Sequence, residues 1–179
     1  MQEPNRELHE RFLFRNIDPE NTEEVEYAVY MEHTCMPPTD ACTREEIMDR
    51  ASAAPELFLI AVDRETGQIA GILNGVATNE SVFTDDFFSD AGTLHVPNGT
   101  TVMLTGMDVM PEYRNQGLAR ELVATCARRE KEKGRKRMIL TCVEDKIEMY
   151  KKFGFEYMGV SESVYGGTVW YDMDIVLNP

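Results

Sequence analysis

The stretch Val109-Met110-Pro111-Glu112-Tyr113-Arg114-Asn115-Gln116-Gly117-Leu118-Ala119 decides how the chain is read. An apolar run, Thr100 to Met110, leads into it. A segment reaching to about Lys133 leads out, with Leu118, Leu122 and Cys126 on one side and Gly134 as its stop. The first run predicts a strand and the second a helix. The small residues at the join have a physical use: Gly117 leaves room for a phosphate near the backbone, and Ala119 keeps the helix start uncrowded. The unpaired N–H groups of the first helical turn point into that space, with the positive end of the helix dipole behind them. Arg114 or Arg120 adds a charge. The spacing, Arg-x-x-Gly-x-Ala, fits a pyrophosphate cradle. It matches neither the Walker pattern nor the dinucleotide GxGxxG.

The flanking sequence alternates between strand and helix patterns. Upstream, Arg11 to Arg15 predicts a first strand after a polar segment, residues 1–10, that reads as a frayed tail. Asp18-Pro19-Glu20 predicts a helix start, with Val25, Ala28, Val29 and Glu32 following at helical spacing. His33 to Thr39 contains Pro37-Pro38 and reads as a loop. Thr43-Arg44-Glu45-Glu46 is a capping box that opens a helix to about Ala53. Glu56 to Val62 and Gln68 to Ala77 predict a hairpin across a turn at Asp63 to Gly67. Residues 78–99 read as a long loop, pinned to the core by Phe83, Phe87 and Phe88. Downstream, Arg137 to Cys142 predicts a strand and Asp145 to Lys152 a short helix, with Asp145 and Glu148 at capping-box spacing and Gly154 as its end. Phe155 to Val160 and Thr168 to Leu177 predict two closing strands. A single mixed α/β domain over residues 1–179 is the expectation.

Composition narrows the function. The chain has 179 residues, 42% hydrophobic and 28% charged, within the range of one globular domain. Its 32 acidic against 18 basic residues give a net charge of −14. That sign repels phosphate backbones and anionic membranes, and attracts cationic substrates. No apolar run is long enough to cross a bilayer and the N-terminus lacks a signal-peptide pattern, so a cytoplasmic protein with reduced thiols is expected. Four cysteines and three histidines show no metal-ligand spacing, and no metal site is expected.

A second motif, Met149-Tyr150-Lys151-Lys152-Phe153-Gly154-Phe155-Glu156, follows the strand that ends at Cys142. With the Arg114–Ala119 turn, it resembles the GNAT superfamily of N-acetyltransferases, from about Phe12 to Leu177. Within it, Pro55-Glu56-Leu57, His95-Val96-Pro97 and Leu140-Thr141-Cys142-Val143-Glu144-Asp145 resemble the arylalkylamine (serotonin) N-acetyltransferase branch. The resemblance implies a central, mostly antiparallel mixed sheet of six or seven strands, with about four helices on its two faces. It implies acetyl-CoA as cofactor, with Met107 and Val109 pairing the pantetheine arm and Arg114, Asn115, Gln116, Gly117, Leu118 and Ala119 forming the pyrophosphate loop. It implies Tyr150 beside the cofactor sulfur, as the acid that protonates the leaving thiolate. Many proteins of this fold pair as homodimers.

One departure stands out. The branch carries a His-x-His pair on its central strand, and the matching positions here hold Met103 and Thr105. Neither is a base. An amine with a pKa near 10.4 is charged at neutral pH, and uncovering its free base costs roughly 4–5 kcal/mol. Glu32, His33, Asp108 and Glu144 are the candidate proton acceptors. Asp108 and Glu144 lie near strand ends, where open α/β sheets place their sites. Glu32, His33 and Thr105 are expected to line the acceptor pocket. The expected activity is transfer of an acetyl group to a primary amine of a small cationic substrate, by direct attack in a ternary complex. The alternative is an acyl-CoA-binding sensor with little turnover.

Overall fold

A computed structural model describes residues 3–179. Its centre is one seven-stranded sheet in the order β1-β2-β3-β4-β5-β7-β6. The strands are β1 (Phe12–Asn16), β2 (Phe58–Asp63), β3 (Ile69–Thr78), β4 (Thr101–Val109), β5 (Arg137–Cys142), β6 (Glu156–Val160) and β7 (Tyr171–Val176). All neighbours are antiparallel except β4 and β5. The helices are α1 (Arg6–Arg11), α2 (Thr22–Cys35), α3 (Arg44–Ala53), α4 (Asp86–Ser89), α5 (Ala91–Leu94), α6 (Leu118–Glu132) and α7 (Ile147–Phe153). Four of them, α2, α3, α6 and α7, answer to the sequence pattern; α1, α4 and α5 do not.

The strand register assigns each side chain to a face. Gly71 and Val109 are opposed, and a Cβ at Gly71 would meet Leu122 Cδ1 at 2.9 Å, so this face is covered by α6. Leu118, Leu122, Val123, Cys126 and Ala127 of α6 are buried. Asn74 points to the other face, where Arg50 of α3 reaches it, and α2 packs there beside α3. Side chains alternate along each strand. Asp108 therefore shares the α2–α3 face with Asn74, and Met107 and Val109 share the α6 face.

Several expected boundaries move. The N-terminal segment is not frayed from Arg6 onward: Asn5 Oδ1 caps α1 by accepting from Leu8 N–H, and Leu8 is buried. Asp18 does not cap α2; Asn21 does, accepting from Glu24 N–H at 3.2 Å. The helix also runs on to Cys35, so the loop begins at Met36. Pro55–Leu57 forms a 3₁₀ turn, which delays β2 to Phe58. The 78–99 segment folds α4 and α5 around its phenylalanines, with Phe83 centred 5.6 Å from Phe87 and 5.1 Å from Phe88. Asp145 makes no cap, because a 3₁₀ turn at Glu144–Lys146 comes first. β7 opens at Tyr171, not Thr168, because Tyr165–Gly167 forms a further 3₁₀ turn. The capping box at Thr43 and Glu46 forms as read, and so does the Gly154 stop, at φ 104°.

Two irregularities shape the centre of the sheet. Gly75 pairs with Leu104 and Asn74 with Gly106, which leaves Thr105 as an extra residue, a β-bulge. Bulges bend a strand and increase its twist. The parallel pairing of β4 with β5 then ends at Leu104 and Leu140, although β4 continues to Val109 and β5 to Cys142. The two strands separate there. Glycine is required at 75, since a Cβ would collide with the carbonyl oxygen of Met103. Overpacking of this kind costs about 1–3 kcal/mol. Gly75→Ala should therefore lower stability by about 2 kcal/mol or more, read from the midpoint of urea unfolding.

Candidate active site

The split between β4 and β5 exposes one edge of β4. Met110 N–H donates to Ala70 O at 3.0 Å, towards β3. Backbone groups alternate between the two edges of a strand, so the N–H groups of Val109 and Met107 turn the other way, into the split. Val109 O is already engaged, accepting from Arg114 Nε at 2.9 Å and from the Cys35 thiol at 3.4 Å. These are the positions expected to pair a pantetheine arm.

The Arg114–Gly117 turn lies at the head of α6. Asn115 adopts φ 60° and Gly117 φ 84°, both in the left-handed region. That φ, and not crowding, is what calls for glycine: a Cβ at 117 would find only Leu8 Cδ1, at 3.7 Å. No side chain caps α6. The first-turn N–H groups are left for an anion, in a turn whose residues are exposed. The turn is held from outside. Arg11 donates to Gln116 Oε1 at 2.6 Å, and Gln116 Nε2 donates to Glu112 O. The residues present thus fit a pyrophosphate.

On the α2–α3 face, a buried polar cluster lies behind the bulge. Asp108 is 2% exposed, and neither of its carboxylate oxygens has a hydrogen-bond donor. The group facing it is the equally buried carboxyl of Glu32, on α2. Two carboxylates can bond to one another only by sharing a proton. Burial, then the charge of Glu32, holds Asp108 well above the usual carboxylate range, while Arg114 and Arg50 pull weakly the other way. Glu32 Oε1 accepts from Cys42 N–H at 2.8 Å. Arg50 is fully buried and donates to Asn74 Oδ1, Cys42 Sγ and Phe88 O. Thr105 Oγ1 donates to Asn74 Oδ1 at 2.9 Å. A fixed guanidinium therefore balances one negative charge shared by two acids.

Tyr150, on α7, is half-buried, its ring edge-on to Phe153 and Phe155. Burial, then Cys142 and Asp108, pushes its phenol above the ordinary value, so it holds its proton at neutral pH. Cys142 is buried at the end of β5, its thiol pushed up to about 12 by burial and by Asp145 and Asp172. It is no nucleophile at neutral pH.

Glu32, Thr105 and Asp108 thus come together, with Tyr150 close enough to feel the charge of Asp108. Two other candidates stand apart. His33 is exposed and donates through Nε2 to Cys42 O at 3.0 Å, fastening the loop after α2. Glu144 is exposed on its 3₁₀ turn and makes no hydrogen bond to the cluster. Arg50 and Asn74 were not singled out in the sequence. Their signals were an arginine three positions after buried Ile47 and an asparagine inside an otherwise apolar strand.

A sequence model of the Acetyltransferase (GNAT) family matches residues 16–155. The chain belongs to this family. No curated protein sequence matches it. Solved GNAT structures share the fold at low identity. One is the GphF GNAT-like decarboxylase in complex with isobutyryl-CoA, at 16% identity and a TM-score of 0.74, covering 93% of this chain and 100% of that one. The loading GNATL domain of CurA from Lyngbya majuscula reaches a TM-score of 0.78 at 14% identity, covering 93% and 98%. A GNAT phosphinothricin acetyltransferase from Sinorhizobium meliloti, solved with acetyl-CoA, gives 0.64 at 14% identity, covering 94% and 89%. The CoA thioesters bound in the first and third of these structures agree with the expected CoA-based cofactor. Nothing among these matches singles out the arylalkylamine branch. Two of the three segments that suggested it meet: His95 Nε2 lies 3.0 Å from Glu56 Oε1, and His95 Nδ1 accepts from Ala77 N–H.

The shared proton has a consequence for stability. A carboxyl whose folded pKa is raised binds more protons folded than unfolded, so stability falls as pH rises from the unfolded value, roughly 4, through the folded one. Asp108→Asn removes this penalty and gives Glu32 a donor. The variant should be the more stable protein at pH 8, by about 1 kcal/mol or more, with a smaller gap at pH 5. Chemical denaturation at the two pH values reads this directly.

Proposed function

We propose that the protein is an acetyl-CoA-dependent N-acetyltransferase acting on a primary amine by direct attack. The observation that carries this reading is the open β4 edge at Met107 and Val109, which runs on into the turn at the uncapped head of α6 and carries Asp108, whose charge reaches Tyr150. Acetyl-CoA supplies an activated thioester carbonyl. Met107, Val109 and the Arg114–Ala119 turn bind and orient it, and a strand N–H near Met107 donates to the carbonyl oxygen as negative charge develops there.

The amine attacks as its free base. Asp108 takes the proton it loses, and the raised affinity of that carboxyl suits it to the task, because a base works best when its pKa lies near the operating pH. Glu32 keeps that affinity high and spreads the charge. Tyr150 donates its phenolic proton to the departing sulfur. The carbon–sulfur bond breaks as the carbon–nitrogen bond forms, and the buried Cys142 thiol takes no part. The acidic surface draws in a small cationic amine.

Acetyl-CoA at 100 times its dissociation constant should stabilise the fold by about 2.7 kcal/mol in a thermal melt, and ATP should not. Thiol release with a panel of primary amines then tests turnover. Tyr150→Phe should lower kcat by roughly 10²-fold or more. Stabilisation by acetyl-CoA without thiol release from any amine would sink the enzyme reading and leave an acyl-CoA-binding module.

A further inference from the structure

The α2–α3 face of the sheet holds a second set of unsatisfied acceptors, on the far side of the split. Thr141 of β5 is opposed to Asp172 of β7, so both side chains point to one face. The parallel pairs Met103–Ile139 and Leu104–Leu140 fix which face this is. Met103 lies opposite Val76, on the face of Asn74 and Asp108, and alternation carries that assignment from Ile139 to Thr141. Thr141 Oγ1 and Asp172 Oδ1 are both inaccessible to solvent and both lack a hydrogen-bond partner. Burial raises the pKa of Asp172, against a bond from Ser161 that lowers it. Across the split, on the same face, stands Asp108, whose carboxyl has the carboxyl of Glu32 as its sole bonding group and receives no N–H or hydroxyl donor. The face is roofed where two loops meet. Thr168 Oγ1 donates to Asp40 Oδ1 at 3.1 Å, and Tyr165 Oη donates to Glu46 Oε2 at 3.2 Å.

Leaving such groups unpaired costs free energy unless a donor comes from outside. Unpartnered here are carboxylate oxygens of Asp108 and Asp172, on the two sides of the split, the Thr141 hydroxyl, and two donors beside Asp108, Arg50 Nε and Asn74 Nδ2. A monoamine meets only one side. The other observed groove, between β1 and α6, shows no comparable demand, since Arg129 there already bonds Asn16 and Phe14 O.

We propose that the acceptor is a diamine: Asp172 and Thr141 hold its non-reacting ammonium group, while the reacting amine faces Asp108. This deepens the acetyltransferase reading and rests on it. The two carboxylates on opposite sides of the split select for a molecule with a donor-rich cation at each end and an aliphatic body between them. Asp172 is then a binding residue, and its removal acts on KM.

The test compares n-butylamine with putrescine, the diamine of the same chain length, as acceptors at saturating acetyl-CoA. Putrescine should show a kcat/KM at least tenfold higher, the size expected for a charge-assisted hydrogen bond. In Asp172→Asn that ratio should fall towards one through a rise in the KM for putrescine. Thr141→Val should lower the ratio in the same direction and serves if the first variant does not fold. Equal or better use of n-butylamine by the unaltered protein would overturn the diamine assignment and leave the acetyltransferase reading standing. Thiol release with neither of these two but with another primary amine of the panel would overturn the diamine assignment alone; release with no amine, despite stabilisation by acetyl-CoA, would overturn both.

Discussion

The parting of β4 from β5 is the constraint on which the rest of the molecule depends. Two parallel strands that begin in register and stop pairing after four residue pairs leave backbone donors without partners inside the fold. Such groups are costly unless something satisfies them. The bulge at Thr105 bends β4 at the point where the pairing ends, and Gly75 makes the bulge sterically possible. The open edge is thus built by strand geometry, and the helices serve it. α6 presents its uncapped head on one face, and α2 and α3 supply charge on the other.

That charge is arranged with little slack. Arg50 has no exposed surface and is bonded to Asn74, Cys42 and Phe88 O. Its fixed position lets Glu32 and Asp108 stay buried side by side with one proton between them. Desolvation and the charge of Glu32 raise the proton affinity of Asp108 well above that of an ordinary carboxylate. Met103 and Thr105 stand where a histidine pair would be, and the titratable groups lie instead at Asp108 of the same strand and at Glu32 of α2.

The sequence disclosed the elements whose signals are local. The Arg114–Ala119 turn, the α6 stripe of Leu118, Leu122 and Cys126, the Thr43 capping box and the Gly154 stop each depend on residues within a few positions of one another. The site was legible to the same extent. Asp108, Glu32, Thr105 and Tyr150 were recognisable as candidates, but Glu144 and His33 ranked beside them, because exposure is a tertiary property. Arg50 and Asp172 were hidden for a further reason. Their surroundings arise from pairings across strands and between faces, and a two-residue periodicity gives a face without saying what lies opposite. α1 was missed because its polar residues carry no core signal; it stands on one buried leucine and on bonds to a distant helix.

Those bonds bear on the order in which the chain acquires its structure. Glu121 accepts from Asn5 N–H, His9 and Arg128, and His9 lies 112 positions away from it. Arg11 reaches Gln116 across a gap of 105. While the polypeptide is being made, α1 can touch β1, where the His9 and Phe14 rings are 4.5 Å apart, but its bonds to Glu121 and Gln116 wait until that later segment exists. Long-range closures of this kind are late events in folding. The turn at Gly117 is therefore steadied by a helix synthesised 105 positions earlier, at one of the last moments of assembly.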